Sequence, residues 1–341
     1  MTLYFKEEVL FILIYRSINR YIKRGLDMKK PLISVLMSTY NEPIEYIIDS
    51  INSILAQTYE NFEFVIINDN PIRVDLDEYL NKLYILDRRI KIIKNESNIG
   101  LTASLNKGLR YCSGLYIARM DADDISEPFR LEKELEYIIK QDLDIVGAYI
   151  QPISPTGENY GKSKKYPVWN SGCRRYLKSR SSLIHPTWLV KREVYEVLDG
   201  YRNVKYCEDY DFLIRASKIY KLACCPWICL RYRINPNGIS VSNKITQKVY
   251  SKYLRKNFNR INELTPHDAD LFYSKSAGYI SQLEYYFNEI EFIRTCVSNC
   301  RKVLEYFRIF FGLKFARESL IEVLRMKMIM FISNCIEKAR K

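Results

Sequence analysis

Residues 31–69 read PLISVLMSTYNEPIEYIIDSINSILAQTYENFEFVIIND, and their apolar period changes twice along the run. Leu32 to Met37 is a continuous apolar, β-prone segment, which predicts a buried strand. Asn41-Glu42-Pro43 then opens a stretch in which Ile44, Ile47, Ile48, Ile51, Ile54 and Leu55 recur every three or four residues, the spacing of one helix face. Phe62 to Ile67 returns to strand character. Outward from this unit the alternation continues, with a helix predicted at Val74 to Leu86, a strand at Ile90 to Ile93, a helix at Leu101 to Tyr111 and a strand at Leu115 to Met120. Such alternation dictates an α/β fold with a mostly parallel sheet and helices on both faces, and in such sheets ligands bind at the carboxyl ends of the strands. Four loops are singled out: Ser38 to Pro43, Asn68 to Arg73, Asn95 to Thr102 and Asp121 to Pro128.

Beyond these elements the pattern is coarser. Between Pro152 and Tyr176, six prolines and glycines stand among polar and basic residues, and loops are expected. After Asn243 strand signals stop; the rest is aromatic, basic and helix-periodic, for example at Val303, Tyr306, Phe307, Phe310 and Phe311. The expected division is an amphipathic N-terminal extension over 1–30, the α/β domain over 31–243 and a basic helical region over 244–341.

A chain of 341 residues with 48% hydrophobic content can bury a large core and is not disordered. Its net charge of +13 calls for a negative partner surface. Residues 245–341 carry 17 Lys and Arg against 10 Asp and Glu, so about half of the excess is regional. An anionic membrane surface is one candidate partner, with Phe310, Phe311 and Phe315 as apolar anchors; a helical subdomain core or a dimer interface is the other use for these aromatics. Nucleic acid is not expected, because the basic residues form no known reader module. The nine cysteines lack finger spacing and only His185 and His267 could complete a zinc site, so reduced buried thiols are the expectation. No apolar run reaches the roughly 18 residues of a membrane span. The charged flanks of Val9 to Tyr15 do not make a secretory signal, so the expected location is cytoplasmic, or peripheral at the inner face of the membrane.

Four short motifs fall on the singled-out loops or on a later helix start. Asp121-Ala-Asp123-Asp124 follows a strand directly, and carboxylates so placed repel one another unless a hard divalent cation lies between them. Asp124 or Ser126 can equally cap the helix expected near Glu127-Pro128, which leaves Asp121 and Asp123 without a structural task. Asp69 can accept from a nucleobase imide or close an Asx turn within Asn68-Asp69-Asn70. Asn98-Ile99-Gly100 opens a helix where the backbone can approach a phosphate or base. Glu208-Asp209 precedes a helix start running to Arg215; it suits the helix dipole and equally a general base.

Taken in order, Pro31-Leu-Ile-Ser-Val-Leu-Met-Ser-Thr-Tyr-Asn-Glu42, Phe62-Glu-Phe-Val-Ile-Ile-Asn-Asp69, Asn98-Ile-Gly100 with Asn106-Lys-Gly108, Tyr116-Ile-Ala-Arg-Met-Asp-Ala-Asp-Asp124 and Glu208-Asp-Tyr-Asp211 resemble the successive blocks of family-2 glycosyltransferases. The resemblance covers about Pro31 to Ser242. It implies the Rossmann-like GT-A fold and inverting transfer of a sugar from a nucleotide-diphosphate sugar, of UDP type, to a glycan or lipid-linked acceptor in surface-polysaccharide assembly. It further implies that Mn²⁺ or Mg²⁺ is the cofactor, that Thr39 and Glu42 line the nucleotide pocket, and that Asp69 holds the base. Asp121 then lies on the ribose side, Asp123 ligates the metal and Asp209 is the catalytic base. His185, in Leu183-Ile-His-Pro-Thr187, is secondary, since a lone histidine is more often structural. Asn235 stands where many members of the family carry a histidine after Tyr-Arg-x, and an amide is a poorer metal ligand than imidazole. Two other classes compete: a sugar nucleotidyltransferase, which should carry a glycine-rich loop where Ser38 to Pro43 has none, and a non-catalytic basic binding protein.

Overall fold

The computed structural model of the protein describes residues 30–235, 238, 242–295 and 314–339. The expected N-terminal extension, Lys30 apart, lies outside the described residues, as do Val303, Tyr306, Phe307, Phe310 and Phe311. Eight strands form one sheet: β1 (Ile33–Thr39), β2 (Phe62–Asn68), β3 (Ile90–Lys94), β4 (Tyr116–Asp121), β5 (Ile125–Ser126), β6 (Ile145–Ile153), β7 (Leu189–Lys191) and β8 (Leu222–Arg233). Their order across the sheet is β3-β2-β1-β4-β7-β6-β8-β5. The first four in this order are parallel, β7 runs antiparallel to both its neighbours, β6 and β8 are parallel, and β5 closes antiparallel on β8.

The predicted strands and helices of residues 31–121 are all present, with boundaries moved by one or two residues. The helices there are α1 (Ile44–Leu55), α2 (Val74–Leu86) and α3 (Leu101–Leu109). Because strand side chains alternate between faces, β1 feeds two cores: Val35 and Met37 pack with Ile47, Ile51 and Ile54 of α1, whereas Leu36 packs with Leu105 of α3. A sheet covered on both faces is what its near-continuous apolar strands require.

The structure departs from the sequence expectation between Pro152 and Tyr176. There β6 extends to Ile153, the chain turns back through bridges Ile153↔Asn159 and Ile150↔Lys164, and a helix follows, α5 (Asn170–Leu177), after α4 (Arg130–Lys140). The helix escapes a periodicity reading because eight residues show only one apolar stripe, Cys173, Tyr176 and Leu177, beside a glycine and two arginines. Further on lie α6 (Arg192–Val197) and α7 (Glu208–Ala216). Every described element after residue 243 is helical: α8 (Lys244–Lys256), a 3₁₀ turn, α9 (Pro266–Ser274), α10 (Ala277–Thr295) and α11 (Lys314–Ala339). Tyr250, Leu254, Ile261, Met326 and Ile329 of this region join the same core as Trp188 and Phe212.

Two registers set up the site. Ser38 pairs with Asp121 and Thr39 with Asn68, so the carboxyl ends of β1, β2 and β4 finish level. The pairing of Ile125 and Ser126 with Arg231 and Leu230 then draws the Asp121–Asp124 loop against the end of β8.

Close approach of α3 to the sheet depends on Gly108, where a Cβ would stand 2.4 Å from Leu36 Cδ1 and 3.1 Å from Ile67 Cγ1. Replacing Gly108 by Val should cost about 1–3 kcal/mol of stability by overpacking, read as a lowered urea midpoint with an unchanged slope. An unmoved midpoint would contradict this packing.

Candidate active site

At the end of β1 the turn folds back on itself. Thr39 Oγ1 donates to Glu42 Oε2 at 2.9 Å and Tyr40 N donates to the same oxygen at 2.8 Å. Arg73 Nη1 holds the Glu42 carbonyl at 2.6 Å and Asn70 Nδ2 holds the Tyr40 carbonyl at 3.1 Å. This brings Thr39 and Glu42 to the sheet edge as a braced pair.

Asp69 is buried at the adjoining strand end. Its Oδ1 accepts from Asn95 Nδ2 at 2.7 Å and from Ile99 N at 2.9 Å, and its Oδ2 accepts from Gly100 N at 3.0 Å. Asn98 Oδ1 also accepts from Gly100 N at 2.8 Å, and Gly100 adopts φ 81°, open to glycine and strained for other residues. Asp69 thus orders the entry to α3, and its remaining lone pair is left for one further donor. The Asx turn belongs to Asn68, whose Oδ1 accepts from Asn70 N at 3.0 Å, and not to Asp69.

The end of β4 carries the densest charge. One carboxylate oxygen each from Asp121, Asp123 and Asp124 lies within 4.8 Å of the others. Arg119 Nη2 donates to Asp121 Oδ1 at 2.5 Å from beneath. Arg233 N donates to Asp124 Oδ1 at 2.8 Å, and Arg233 Nε donates to the Asp123 carbonyl at 2.8 Å. Burial, then the charges of Asp121 and Glu42, push the Asp123 carboxyl up to about 7. Burial, then Asp123 and Asp121, push Asp124 well above the usual carboxylate range. Asp124 Oδ2 is buried with no hydrogen-bond partner. An orphaned buried carboxylate oxygen beside two further carboxylates fits a hard divalent cation taking oxygen ligands. The capping alternative for Asp124 and Ser126 is overturned: α4 starts later, at Arg130, behind Phe129 with no side-chain cap, and Asp124 is engaged by β8 instead.

A second acidic group meets this one. Burial, then Asp209, raises Glu208 to about 7; burial raises Asp209 to about 6, with Asp121 adding to it. Asp209 Oδ1 accepts from Tyr210 N at 2.7 Å in the first turn of α7, whose N-cap position is Cys207. Asp211, two residues on, is wholly buried and differently employed: Arg202 and Arg215 grip both its oxygens, and Arg215 continues to the carbonyls of Leu198 and Gly200, each at 2.8 Å. Asp211 is structural.

His185 also belongs to the core. Its Nε2 lies 2.8 Å from Tyr201 Oη, its ring meets Trp188 edge-on at 4.5 Å, and burial with the nearby Arg119 holds its pKa well below the usual histidine value. Asn235 begins a turn, its carbonyl accepting from Gly238 N at 3.1 Å. Sequence reasoning passed over Arg119 and Arg233. The signal for Arg119 was present, since an arginine inside the apolar run Tyr116–Met120 must have a buried anion to meet; Arg233, among exposed-looking basic residues, gave none.

Residues 34–199 match the profile of Glycosyl transferase family 2. The chain is 37% identical over 233 residues to an uncharacterized glycosyltransferase of Methanocaldococcus jannaschii, a span covering 67% of this chain and 80% of the relative. It is 37% identical over 234 residues to the O-antigen biosynthesis glycosyltransferase WbnJ of Escherichia coli, covering 66% and 84%. The crystal structure of S. aureus TarS in complex with UDP-GlcNAc shares the fold, with a TM-score of 0.55 and 18% identity over 70% of each chain.

The raised carboxyls carry a sign. Their neutral forms are favoured in the folded state, so the cation-free protein loses stability as pH rises from the ordinary carboxylate range through about 7, and a divalent cation reverses this by favouring the charged forms. Saturating Mn²⁺ should raise Tm by about 5 °C at pH 7.5, with a smaller shift at pH 5 and a smaller shift again in Asp123→Ala. Equal shifts at both pH values, or an unaltered shift in the variant, would contradict cation binding at this cluster.

Proposed function

The chain belongs to glycosyl transferase family 2 and is a glycosyltransferase, and on that premise we propose that it moves a sugar, with inversion, from a nucleotide-diphosphate sugar to an acceptor hydroxyl in polysaccharide assembly. The observation that carries this reading is the meeting of two acidic groups, Asp121–Asp124 at the end of β4 and Glu208-Asp209 at the start of α7, within one another's electrostatic reach. Transfer to a hydroxyl needs both a site for the donor's diphosphate and a base for the acceptor's proton.

On this reading Thr39, Glu42 and Asp69 line the nucleotide, Asp69 accepts from its base, and the Asn98–Gly100 loop, whose Gly100 N–H donates to Asp69, lies beside it. That TarS is solved with UDP-GlcNAc supports a UDP-linked donor. Mn²⁺ or Mg²⁺ held by Asp123, with Asp121 and Asp124 beside it, would offset negative charge on the departing diphosphate. Asp209 takes the acceptor proton; a carboxyl near 6 is ionised at neutral pH yet more basic than an ordinary aspartate. One displacement at the anomeric carbon inverts its configuration. Arg119 and Arg233 position the carboxylates and touch no reacting atom.

The membrane partner rests on α11. Met326, Ile329 and Ser333 face the body, while Leu320, Ile321, Leu324, Met328, Phe331 and Ile332 are exposed and recur every three or four residues along the opposite side. Arg325 and Lys327 flank this apolar stripe, and the whole chain carries +13, which favours an anionic lipid surface over a second, equally positive copy. Phe310 and Phe311 lie outside the described residues, as does the side chain of Phe315.

Two measurements test these readings. Asp209→Asn should keep nucleotide affinity and lose transfer by about 10²- to 10⁴-fold, and the wild-type rate should fall as pH drops through about 6; Asp123→Ala should lose metal-dependent nucleotide binding and transfer together. Near-normal turnover in Asp209→Asn would transfer the base role to Glu208, because Asp211 is fully occupied by its arginines. For the membrane, the Leu324→Glu, Phe331→Glu double variant should co-sediment with phosphatidylglycerol vesicles at least about tenfold less than wild type at low salt. Undiminished co-sedimentation would remove α11 as the docking face.

A further inference from the structure

A concentration of positive charge adjoins the start of α7. Cys207, the residue before Glu208, places its Sγ 3.4 Å from the Gln247 carbonyl and 3.3 Å from Ser251 Oγ, and Gln247 Nε2 donates to the Tyr206 carbonyl at 3.0 Å. The 247–251 turn of α8 therefore lies against the entry to the helix that carries Asp209. Lys248, Ser251 and Arg255 share that face of α8, at spacings of three and four residues. Arg255 Nη1 donates to the Ser179 carbonyl at 3.3 Å, which brings the chain at Arg180 alongside, and Arg255 Nε stands 3.4 Å from Glu322 of α11.

The charges here do not balance. Glu322 already engages Arg255, while the side chain of Lys248, half-buried, has no hydrogen-bond or ion-pair partner among the described residues, and the exposed side chain of Arg180 has none either. Burial, then Arg180 and Arg255, lower the Lys248 pKa. Ser179, on the same segment, has a buried hydroxyl without a partner. A cation taken partly out of water costs free energy unless an anion meets it, and two guanidinium groups beside an ammonium suit the oxygens of a phosphate. The donor's phosphates are assigned above to the carboxylate cluster, which leaves these cations, on the turn of α8 that packs against Cys207 two residues before the proposed base, for the other substrate.

We propose that Lys248, Arg255 and Arg180 form a second anion site that holds a phosphate or diphosphate ester group of the acceptor while Asp209 deprotonates its hydroxyl. The assignment rests on the reading of Asp209 as the base. The stripe on the outer side of α11, whose inner side supplies Glu322, is compatible with an acceptor presented from a lipid surface.

The test uses the full chain in EDTA, so that no metal carries phosphate to the carboxylates, and titrates inorganic pyrophosphate by calorimetry. Wild type and Asp123→Ala should bind alike; Lys248→Gln should bind about tenfold more weakly and Lys248→Gln with Arg180→Gln about a hundredfold. Arg180 and Lys248 have no structural partner to lose, so these variants should fold, which retained Mn²⁺-dependent UDP binding checks independently of the donor site. Pyrophosphate affinity unchanged in both variants would overturn the proposal even where the glycosyltransferase reading stands. Loss of UDP binding in wild type would instead strike that reading. Competition by glucose 1-phosphate and by farnesyl phosphate in neutral vesicles distinguishes a soluble phosphorylated acceptor from a lipid-borne one; competition by neither would contradict an ester-binding site.

Discussion

Mutual repulsion among Asp121, Asp123 and Asp124 is the constraint around which the carboxyl end of the sheet is built. Unit charges about 4 Å apart at an effective dielectric of about 20 repel by about 4 kcal/mol, and here burial adds to that. The protein supplies two arginines against three carboxylates, and of the two only Arg119 forms an ion pair within the group, with Asp121. Arg119 reaches Asp121 while also donating to the Leu36 carbonyl at 3.4 Å. Arg233 engages backbone at Asp123 and at Pro155, reaches Asp49 at 3.2 Å and stacks over Tyr46 at 4.1 Å. Both fix where the carboxylates stand, and on the reading proposed above a cation meets the charge that remains. The short pairing of β5 on β8 makes sense in this light, since it brings Arg233 to the loop.

About half a helical turn separates two opposite uses of the same side chain. Asp209 and Asp211 lie two residues apart, hence on different faces of α7. Asp211, enclosed by Arg202 and Arg215, ties α7 to the 198–202 turn and to the 261–264 segment, through the carbonyls that Arg202 and Arg215 also hold. Asp209 is partly buried, with a single backbone donor and a carboxyl that burial raises to about 6. Held this way, the backbone of α7 fixes where Asp209, the base on the reading proposed above, stands. His185 contributes similarly from below, neutral and packed among Trp188 and Tyr201.

The parallel half of the fold is legible in the sequence because its strands are buried on both faces and its helices show a full apolar stripe; Ile44 to Leu55 and Phe62 to Ile67 could hardly be read otherwise. The other half is not. Three-residue β7 and two-residue β5 are too short to show a period, and α5 carries too few apolar residues. At the site, Asp121, Asp123 and Asp209 were visible as acidic residues at strand or helix ends. Asp69's bonds to Ile99 and Gly100, and the staple role of Arg233, depend on segments 30 and 110 residues apart meeting in space, which no local pattern records.

The carboxylate cluster as a site completed jointly by a divalent cation and a donor diphosphate is tested most directly by titrating UDP calorimetrically into the unmodified chain, first with EDTA and then with Mn²⁺. Joint completion predicts weak or undetectable binding without metal and a gain of at least about a hundredfold with it. Equal UDP affinity under both conditions would contradict it, and would mean that the three aspartates are charged for some reason other than holding a nucleotide through a metal.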